Sequence, residues 1–599
     1  MKILGIGFGY LSTAALMVNT KIVSMISEER FTRKKNEEGY PMHAINYCLD
    51  QNGLKGEDLD AVVIASNYLA PIPWITKNYS SFSIEDHIKA QKEYWFPRLN
   101  QGKNVNWFQV FKTKADFNVY PGGWKRIFKN NQDHHGKDIW NKVKRHIYFG
   151  IKSHLNITDN KIHHVEHHQC HSAYAYWASP FRKKKCLVFT ADAYGDGLSA
   201  TISVVSKDKI KRVKEINHNL FFLGRIYRYT TLILGMKPAE HEYKVMGLAP
   251  YAKKKYYQDA LTIFRGLMNV NGIDFKWNHK PKNIYDYLKN HLEGHRFDNI
   301  AGALQEYTEE VLTEWITNAV KKFKINRVVF SGGVSMNIKA NMKIHEIPSV
   351  KEFFVCGSGG DESLPAGAVY EFNSIHNKNK KKLNIQFSPY SGKSYSNEEI
   401  SSWINKNSLK KKYKVISKLS YDQIANYLAK GMIIGRHSGP MEFGARSLGN
   451  RAILANPQDK DIIEKINRKI KNRDFWMPFA PSIIEEDFKK YVVNPKNISS
   501  PFMTVGFEST KLAKKHLIAA LHPADMTLRP QQVTKKSNIE YYNLIKSFKK
   551  KTGIGGILNT SLNLHGQPIV MSPDDALNVF ENSDIDAILF NDETIIFKN

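Results

Sequence analysis

The sequence predicts an α/β protein of at least two domains, and three observations predict it. First, 599 residues are too many for one ordinary hydrophobic core. Second, strand-like and helix-like segments alternate along the first part of the chain, the mark of α/β architecture. Third, a lysine- and asparagine-rich stretch, HNKNKKKLN from His376, interrupts that pattern, and a second α/β unit begins beyond it. The expected divisions are residues 1–375, a linker at 376–384, and residues 385–599.

Three segments define the N-terminal unit. KILGIGFGYLSTAALMV reads as strand, small-residue turn, strand. LVFTADAYGDGLSATISVV, from Leu187, repeats that plan around an acidic, glycine-rich turn. RVVFSGGVSMNIKANMKI, from Arg327, reads as strand, Gly-Gly turn and helix. Two such hairpins followed by a strand–Gly-Gly–helix are the parts used by actin-like (ASKHA) ATP-binding folds. There the turns approach phosphate groups and the paired glycines let a nucleotide lie against backbone. Residues 68–160 have no clear periodicity and form an aromatic, basic insertion, read either as a lid or acceptor-binding surface or as a helical subdomain with its own core.

Composition bounds the function. Hydrophobic residues make up 42% of the chain and charged residues 24%, which excludes general disorder. The net charge of +30 allows a nucleic-acid partner or a site for anionic phosphate substrates. The basic residues come as short scattered runs without interleaved aromatics, which favours the second reading. The four cysteines show no CxxC spacing and suit a reducing, cytoplasmic setting. The glycines of MKILGIGFGYLSTAALMV favour a hairpin over a signal peptide. No stretch reaches the roughly 18 apolar residues of a membrane span.

EHHQCHSAYAYWASPF, from Glu166, spaces His167 and His171 by four residues. On a helix that puts both imidazoles on one face, a common presentation of two nitrogen ligands to a divalent metal, although a histidine-rich helix start with no metal has the same spacing. Asp192 in the DAYGDG turn and Asp361 in GSGGDESLPAGA add carboxylates. The set suits Fe(II), Mn(II) or Zn(II).

The C-terminal unit carries MEFGARSLGNRAILANP, from Met441, where Arg446 and Arg451 bracket a loop led by Glu442 and Gly444. Arginine forks match phosphate and carboxylate oxygens. KNRDFWMPFAPSI supplies Lys471 and Arg473. HPADMTLRPQQV supplies His522, Thr527, Arg529 and Gln531, and LNTSLNLHGQPIV supplies Asn559, Thr560, Ser561 and Asn563. Cations for anionic groups, with hydroxyls and amides for a small planar ligand, are what ATP-dependent activation of a small planar group requires.

In this order, SEERFTRKK (Ser27 to Lys35), EHHQCHSAYAY, EYKVMGLAPYA (Glu242 to Ala252), SGGVSMNIKAN, MEFGARSLGNR, PFAPS and NTSLN closely resemble the O-carbamoyltransferases of the nodulation and antibiotic-tailoring type. The resemblance implies an actin-like N-terminal domain related to the tRNA threonylcarbamoylation enzyme and a YrdC-like C-terminal domain. It implies that carbamoyl phosphate and ATP, with Mg²⁺, give carbamoyl adenylate in the C-terminal domain, where Arg446, Lys471 and Arg529 grip anionic groups, with Arg473, Asn559 and Ser561 nearby. The intermediate passes to a metal, Fe(II), held by His167, His171, Asp192 and Asp361. Gly332, Gly333 and Asn337 lie near the nucleotide, with Glu242 and Lys244 on its binding side, and a small acceptor hydroxyl takes the carbamoyl group.

The sequence departs from the family twice: Tyr10-Leu11 stands where a His-Asp pair is usual, and Met477 where an arginine is usual before PFAP. A fused tRNA threonylcarbamoyladenosine-type enzyme and a non-catalytic binding homologue are the alternatives, and a homo-oligomer stays open.

Overall fold

A computed structural model describes residues 1–68, 76, 82–111, 114, 137–377, 387–471 and 474–598 of the chain. Strands β1 (Lys2–Gly7), β2 (Thr13–Val18), β3 (Lys21–Ser27), β4 (Ala61–Ala65) and β5 (Ile162–Val165) form the first sheet, in the order β3-β2-β1-β4-β5. β1, β2 and β3 are joined antiparallel by tight turns, whereas β4 pairs in parallel with β1, and β5 in parallel with β4, after crossovers.

A second sheet repeats the plan. β6 (Cys186–Gly195), β7 (Leu198–Ser206), β8 (Lys209–Asn217), β11 (Arg327–Ser331) and β12 (Glu352–Val355) stand in the order β12-β11-β6-β7-β8, with the same antiparallel and parallel pairings. The hairpin of β9 (Met268–Asn271) and β10 (Asp274–Trp277) lies between them in sequence. This duplication is the actin-like architecture that the two hairpins predict.

Helices His167–Trp177 and Leu364–His376 are sandwiched between the two sheets. Tyr174, Ala175, Val369 and Tyr370 share one buried cluster with Ile3 and Val63 of the first sheet and Val188 and Val329 of the second. Close approach requires glycine: a Cβ at Gly367 would stand 1.9 Å from the Cys170 carbonyl oxygen. The metal-type motif thus begins at the N-terminus of a helix locked into the centre of the fold.

The C-terminal unit is built on an eight-stranded mixed sheet. Its strands are β13 (Lys414–Ile416), β14 (Ile434–His437), β15 (Arg451–Ala455), β16 (Ala480–Ile484), β17 (Gln531–Val533), β18 (Gly556–Ser561), β19 (Ala587–Phe590) and β20 (Thr594–Phe597). Their order is β13-β20-β19-β14-β15-β18-β16-β17, so PFAPS and NTSLN fall on adjacent strands, with EFGARSLGNR leading into the strand beyond.

In the 68–160 insertion, the described residues Tyr94, Trp107 and Phe111 are buried in a cluster that continues into β1 and β4. Residues 378–386, most of the expected linker, lie outside the described residues. Among the described residues no helix is long and apolar enough to cross a membrane.

SEERFTRKK clamps the C-terminal unit onto the rest. Arg30 donates to the Gly444 carbonyl at 2.9 Å, and Arg33 donates to the carbonyls of Ile569 at 2.8 Å and Pro568 at 2.9 Å. Lys496 answers from the other side. Its ammonium donates to the carbonyls of His345, Ile347 and Val350 at 2.5, 2.7 and 2.8 Å, satisfying the C-terminus of helix Ile338–Glu346.

Candidate functional site

The structure brings His167, His171, Asp192 and Asp361 together: one donor atom from each lies within 4.8 Å of all the others. The histidines come from successive turns of one helix, whose N-terminus Glu166 caps by accepting from His168 and Gln169 N–H. Asp192 comes from the outer part of β6, and Asp361 from the loop after β12. The Nε2 atoms stand 3.4 and 3.8 Å from Asp192 Oδ2 and 3.5 and 3.7 Å from Asp361 Oδ1.

Those spacings suit a central cation: tetrahedral donors about 2.1 Å from one ion stand about 3.4 Å apart. Both Nε2 atoms are buried and lack a hydrogen-bond partner among the described residues, which leaves the two lone pairs for an ion. The donor set therefore fits a divalent metal.

Electrostatics agree. Burial disfavours charge on both imidazoles, yet Asp361 and Asp192 outweigh it, raising His167 and holding His171 up to about 9. Burial likewise opposes ionisation of Asp192, but the two histidines keep it well below the usual carboxylate range. His168 is the odd one out. Burial and the neighbouring imidazoles push it well down, and its Nδ1 pairs with Thr190 Oγ1 at 2.8 Å, so it is a neutral packing residue.

Gly332 and Gly333 border the cluster. The Gly333 N–H donates to Asp192 Oδ2 at 3.0 Å. Gly332 has φ 90°, and a Cβ there would stand 2.2 Å from the Ala191 carbonyl oxygen, so glycine is required. Asn337 is engaged elsewhere: it exchanges amide hydrogen bonds with Gln305 at 2.9 and 3.0 Å and caps helix Ile338–Glu346.

Glu242 accepts from the Ala239 N–H at 2.6 Å, and burial raises its carboxyl. Tyr10 donates its hydroxyl to the Ala239 carbonyl, and burial with the Glu242 charge lifts the phenol far above its ordinary range, so it stays protonated. Lys244 points to the other unit, pairing with Asp474 at 2.9 Å.

In the C-terminal unit, Glu442 organises the densest motif. Its Oε1 accepts from Ser447 Oγ at 3.2 Å and from the backbone N–H of Leu448, Asn450 and Arg451 at 2.7, 3.1 and 3.2 Å. Arg451 is fully buried and spends its guanidinium on the carbonyls of Ser438, Gly439, Asn450 and Lys393, a structural use. Arg446 differs. It has no hydrogen bond to the described residues, and burial lowers its basicity while Tyr243 and Glu362 of the N-terminal unit oppose that shift. Its guanidinium sits where the two units meet.

Asn559 joins the motifs. Its amide donates to the Ser447 carbonyl at 3.2 Å and to Ser482 Oγ at 3.0 Å, and Ser482 in turn donates to Gln531 Oε1 at 2.8 Å. Lys471 donates to the Ser561 carbonyl, to the Asn563 carbonyl at 3.0 Å and to Asn563 Oδ1 at 2.6 Å, with Ser561 Oγ 3.3 Å away. Arg529 is half-buried just before β17. Met477 is buried, and Arg473 lies outside the described residues. His522 Nε2 lies 2.8 Å from the Gly247 carbonyl across the unit boundary.

Three residues escaped sequence reading. Glu362, beside Asp361, carried no motif signal of its own. Arg436 and Asp592 form a fully buried pair across 156 positions, which no local pattern announces.

Fold and site together define a class: a duplicated actin-like core holding a His–Asp cluster, joined to an α/β unit that presents a half-buried arginine where the two meet. Residues 2–370 match the family described as Carbamoyltransferase N-terminus, and residues 425–597 match Carbamoyltransferase C-terminus. The chain belongs to the carbamoyltransferase family and is a carbamoyltransferase. It is 31% identical to protein MJ1058 of Methanocaldococcus jannaschii, over 98% of each chain. Nodulation protein NolO of Bradyrhizobium diazoefficiens is 30% identical over 71% of this chain and 77% of its own. The 3'-hydroxymethylcephem-O-carbamoyltransferase of Amycolatopsis lactamdurans is 28% identical over 29% of this chain and 32% of its own.

Proposed function

We propose that the protein is an ATP-dependent O-carbamoyltransferase working in two sites. The observation that carries this is Arg446, a guanidinium on the C-terminal motif loop with no hydrogen bond to the described residues, facing the unit that holds the His–Asp cluster. In the C-terminal site, water splits carbamoyl phosphate into carbamate and phosphate. A carbamate oxygen attacks the α-phosphorus of Mg²⁺-bound ATP, the α–β bond breaks, and pyrophosphate leaves. Arg446, Arg473 and Arg529 bind the anionic groups, Lys471 fixes the Ser561–Asn563 turn through its carbonyls, and Asn559 and Ser561 shape the pocket for the planar carbamoyl group.

In the N-terminal site the acceptor hydroxyl oxygen attacks the carbamoyl carbon. The bond to the adenylate oxygen breaks, AMP departs with the electron pair, and the acceptor proton passes to a base. Tyr10 is not that base, because its phenol stays protonated. His167, His171, Asp192 and Asp361 would hold a divalent ion, iron(II) among the candidates, which supplies positive charge for the adenylate phosphate. Gly332 and Gly333 border the nucleotide, and Asn337 supports the helix behind them through Gln305. Glu242 and Lys244 lie together on helix Glu242–Leu248, with Lys244 reaching the C-terminal unit through Asp474.

The test incubates purified protein with carbamoyl phosphate, ATP and Mg²⁺ and follows pyrophosphate and carbamoyl adenylate by mass spectrometry. Both products should form with the native chain and vanish with Arg446→Ala. Threonylcarbamoyl adenylate from threonine, bicarbonate and ATP, with no carbamoyl adenylate, would replace this reading with the tRNA-modifying one.

A further inference from the structure

Two loops that carry the two sites meet at a single hydroxyl. The first, residues 357–363, holds Asp361. The second, residues 438–450, holds Arg446. Ser358 Oγ donates to Glu362 Oε1, the side chain next to Asp361, and accepts the Ala445 N–H at 3.2 Å, one residue before Arg446.

The junction is tight. A Cβ at Gly444, where φ is 100°, would stand 2.4 Å from Ser358 Oγ. Arg30 holds the other side of the same peptide segment through the Gly444 carbonyl. Ser358 itself is left-handed, with φ 59°, a conformation serine adopts where surrounding contacts over-determine it. Glu362 Oε2 is buried without a hydrogen bond among the described residues, and the Arg446 charge acts on this carboxyl.

We infer that Ser358 and Glu362 are positioning residues that latch the Asp361 loop to the Arg446 loop, so that anion binding at Arg446 and cation binding at the His–Asp cluster are energetically linked. The inference rests on the two-site reading above. An anion that draws Arg446 towards it moves Ala445, and the Ser358 hydroxyl transmits that movement to the residue beside Asp361. Metal donors tolerate displacements of only about 0.2 Å, so a small shift there changes cation affinity. Linkage makes the effect reciprocal.

The test measures Mn²⁺ binding to the full chain by electron paramagnetic resonance, with and without carbamoyl phosphate plus α,β-methylene-ATP. After the Mn²⁺ held by the analogue alone is measured without protein and subtracted, the ratio of the two affinities is the coupling factor, and it is blind to any uniform loss of affinity. In the native chain it should be about fivefold or more. Ser358→Gly tolerates the left-handed backbone while deleting the hydroxyl, and should bring the factor below about twofold. Glu362→Gln keeps an oxygen that accepts from Ser358, and should retain most of the coupling. A Ser358→Gly chain with native coupling overturns the latch, as does a native chain that binds both ligands independently. A native chain that binds no Mn²⁺, or that releases no pyrophosphate when ATP itself replaces the analogue, overturns the two-site reading, and the latch with it.

Discussion

Gly195→Ala isolates the geometry of the His–Asp cluster from backbone strain. Gly195 ends β6, and its φ lies outside the left-handed region, so alanine meets no conformational penalty there. The obstacle is contact. A Cβ at this position would stand 2.1 Å from His167 Cδ2 and 2.6 Å from Nε2. That is about 1.4 Å short of an ordinary carbon–carbon separation of about 3.5 Å. The imidazole must swing away by roughly that amount, several times the tolerance of about 0.2 Å for a metal donor. Even lost outer partners of metal-bound histidines typically weaken binding about 10- to 100-fold, so displacing a donor outright should weaken it at least about 100-fold, or about 3 kcal/mol. Mn²⁺ titration by calorimetry checks the affinity, and a thermal melt monitored by circular dichroism checks that the fold survives. A Gly195→Ala chain that is folded and binds Mn²⁺ within about threefold of the native chain would refute the assignment of His167 as a donor.

Four further outcomes follow from the same structure. Protons compete with the cation for raised imidazoles, so Mn²⁺ affinity should climb about tenfold per pH unit for each proton displaced and level off above about 9, the position of His171; calorimetry at neutral pH in buffers of different ionisation enthalpy should show proton release, and none would contradict the assignment. Without metal the sign reverses: stability contributed by the raised histidines is complete below their unfolded value of about 6.5 and is lost as pH rises through about 9. Lys496→Met keeps the aliphatic stem but strips three carbonyls at the end of helix Ile338–Glu346 of a charged donor, which should cost about 2 kcal/mol in urea unfolding; a loss under about 0.5 kcal/mol would show that water replaces the ammonium. Tyr10→Phe removes the hydroxyl that bonds the Ala239 carbonyl, and the pH–rate profile of carbamoyl transfer should keep its native shape, whereas a lost alkaline limb would make the phenol a proton carrier.

Local signals were legible in proportion to how far they depend on neighbours in sequence. Glycine turns between apolar strands announced both hairpins, because a turn needs only its own few residues, and the repeated plan pointed to the duplicated sheets. The four-residue spacing of His167 and His171 likewise placed both imidazoles on one helical face. The two aspartates could be named as partners because each falls in an acidic, glycine-rich stretch of sequence, DAYGDG and GSGGDE, although Asp192 stands on the outer part of β6 rather than in a turn. Local spacing could not separate the two arginines of the Met441 motif. Arg446 and Arg451 look alike as sequence, yet Arg451 is consumed by four carbonyls, one of them from Lys393, 58 positions away. Lys244 is paired with Asp474 and Asn337 with Gln305, partners 230 and 32 positions distant.

The role of SEERFTRKK shows why a motif can be read without its purpose being read. Four charged side chains fall within six residues, and three of them, Glu28, Arg30 and Arg33, hold backbone. Glu28 accepts from the N–H groups of His43 and Ala44 at the start of helix Met42–Asp50. Arg30 and Arg33 bind carbonyls more than 400 positions away. Guanidinium groups, Arg30 buried and Arg33 half-buried, stand here where an apolar side chain could fill the space; an apolar contact can slide, whereas forked donors fix one register between surfaces. Register matters at this boundary, since Arg30 holds the very loop that presents Arg446. Arg30→Met should therefore impair pyrophosphate release more than it lowers the melting temperature, whereas a purely structural clamp would lose both in step.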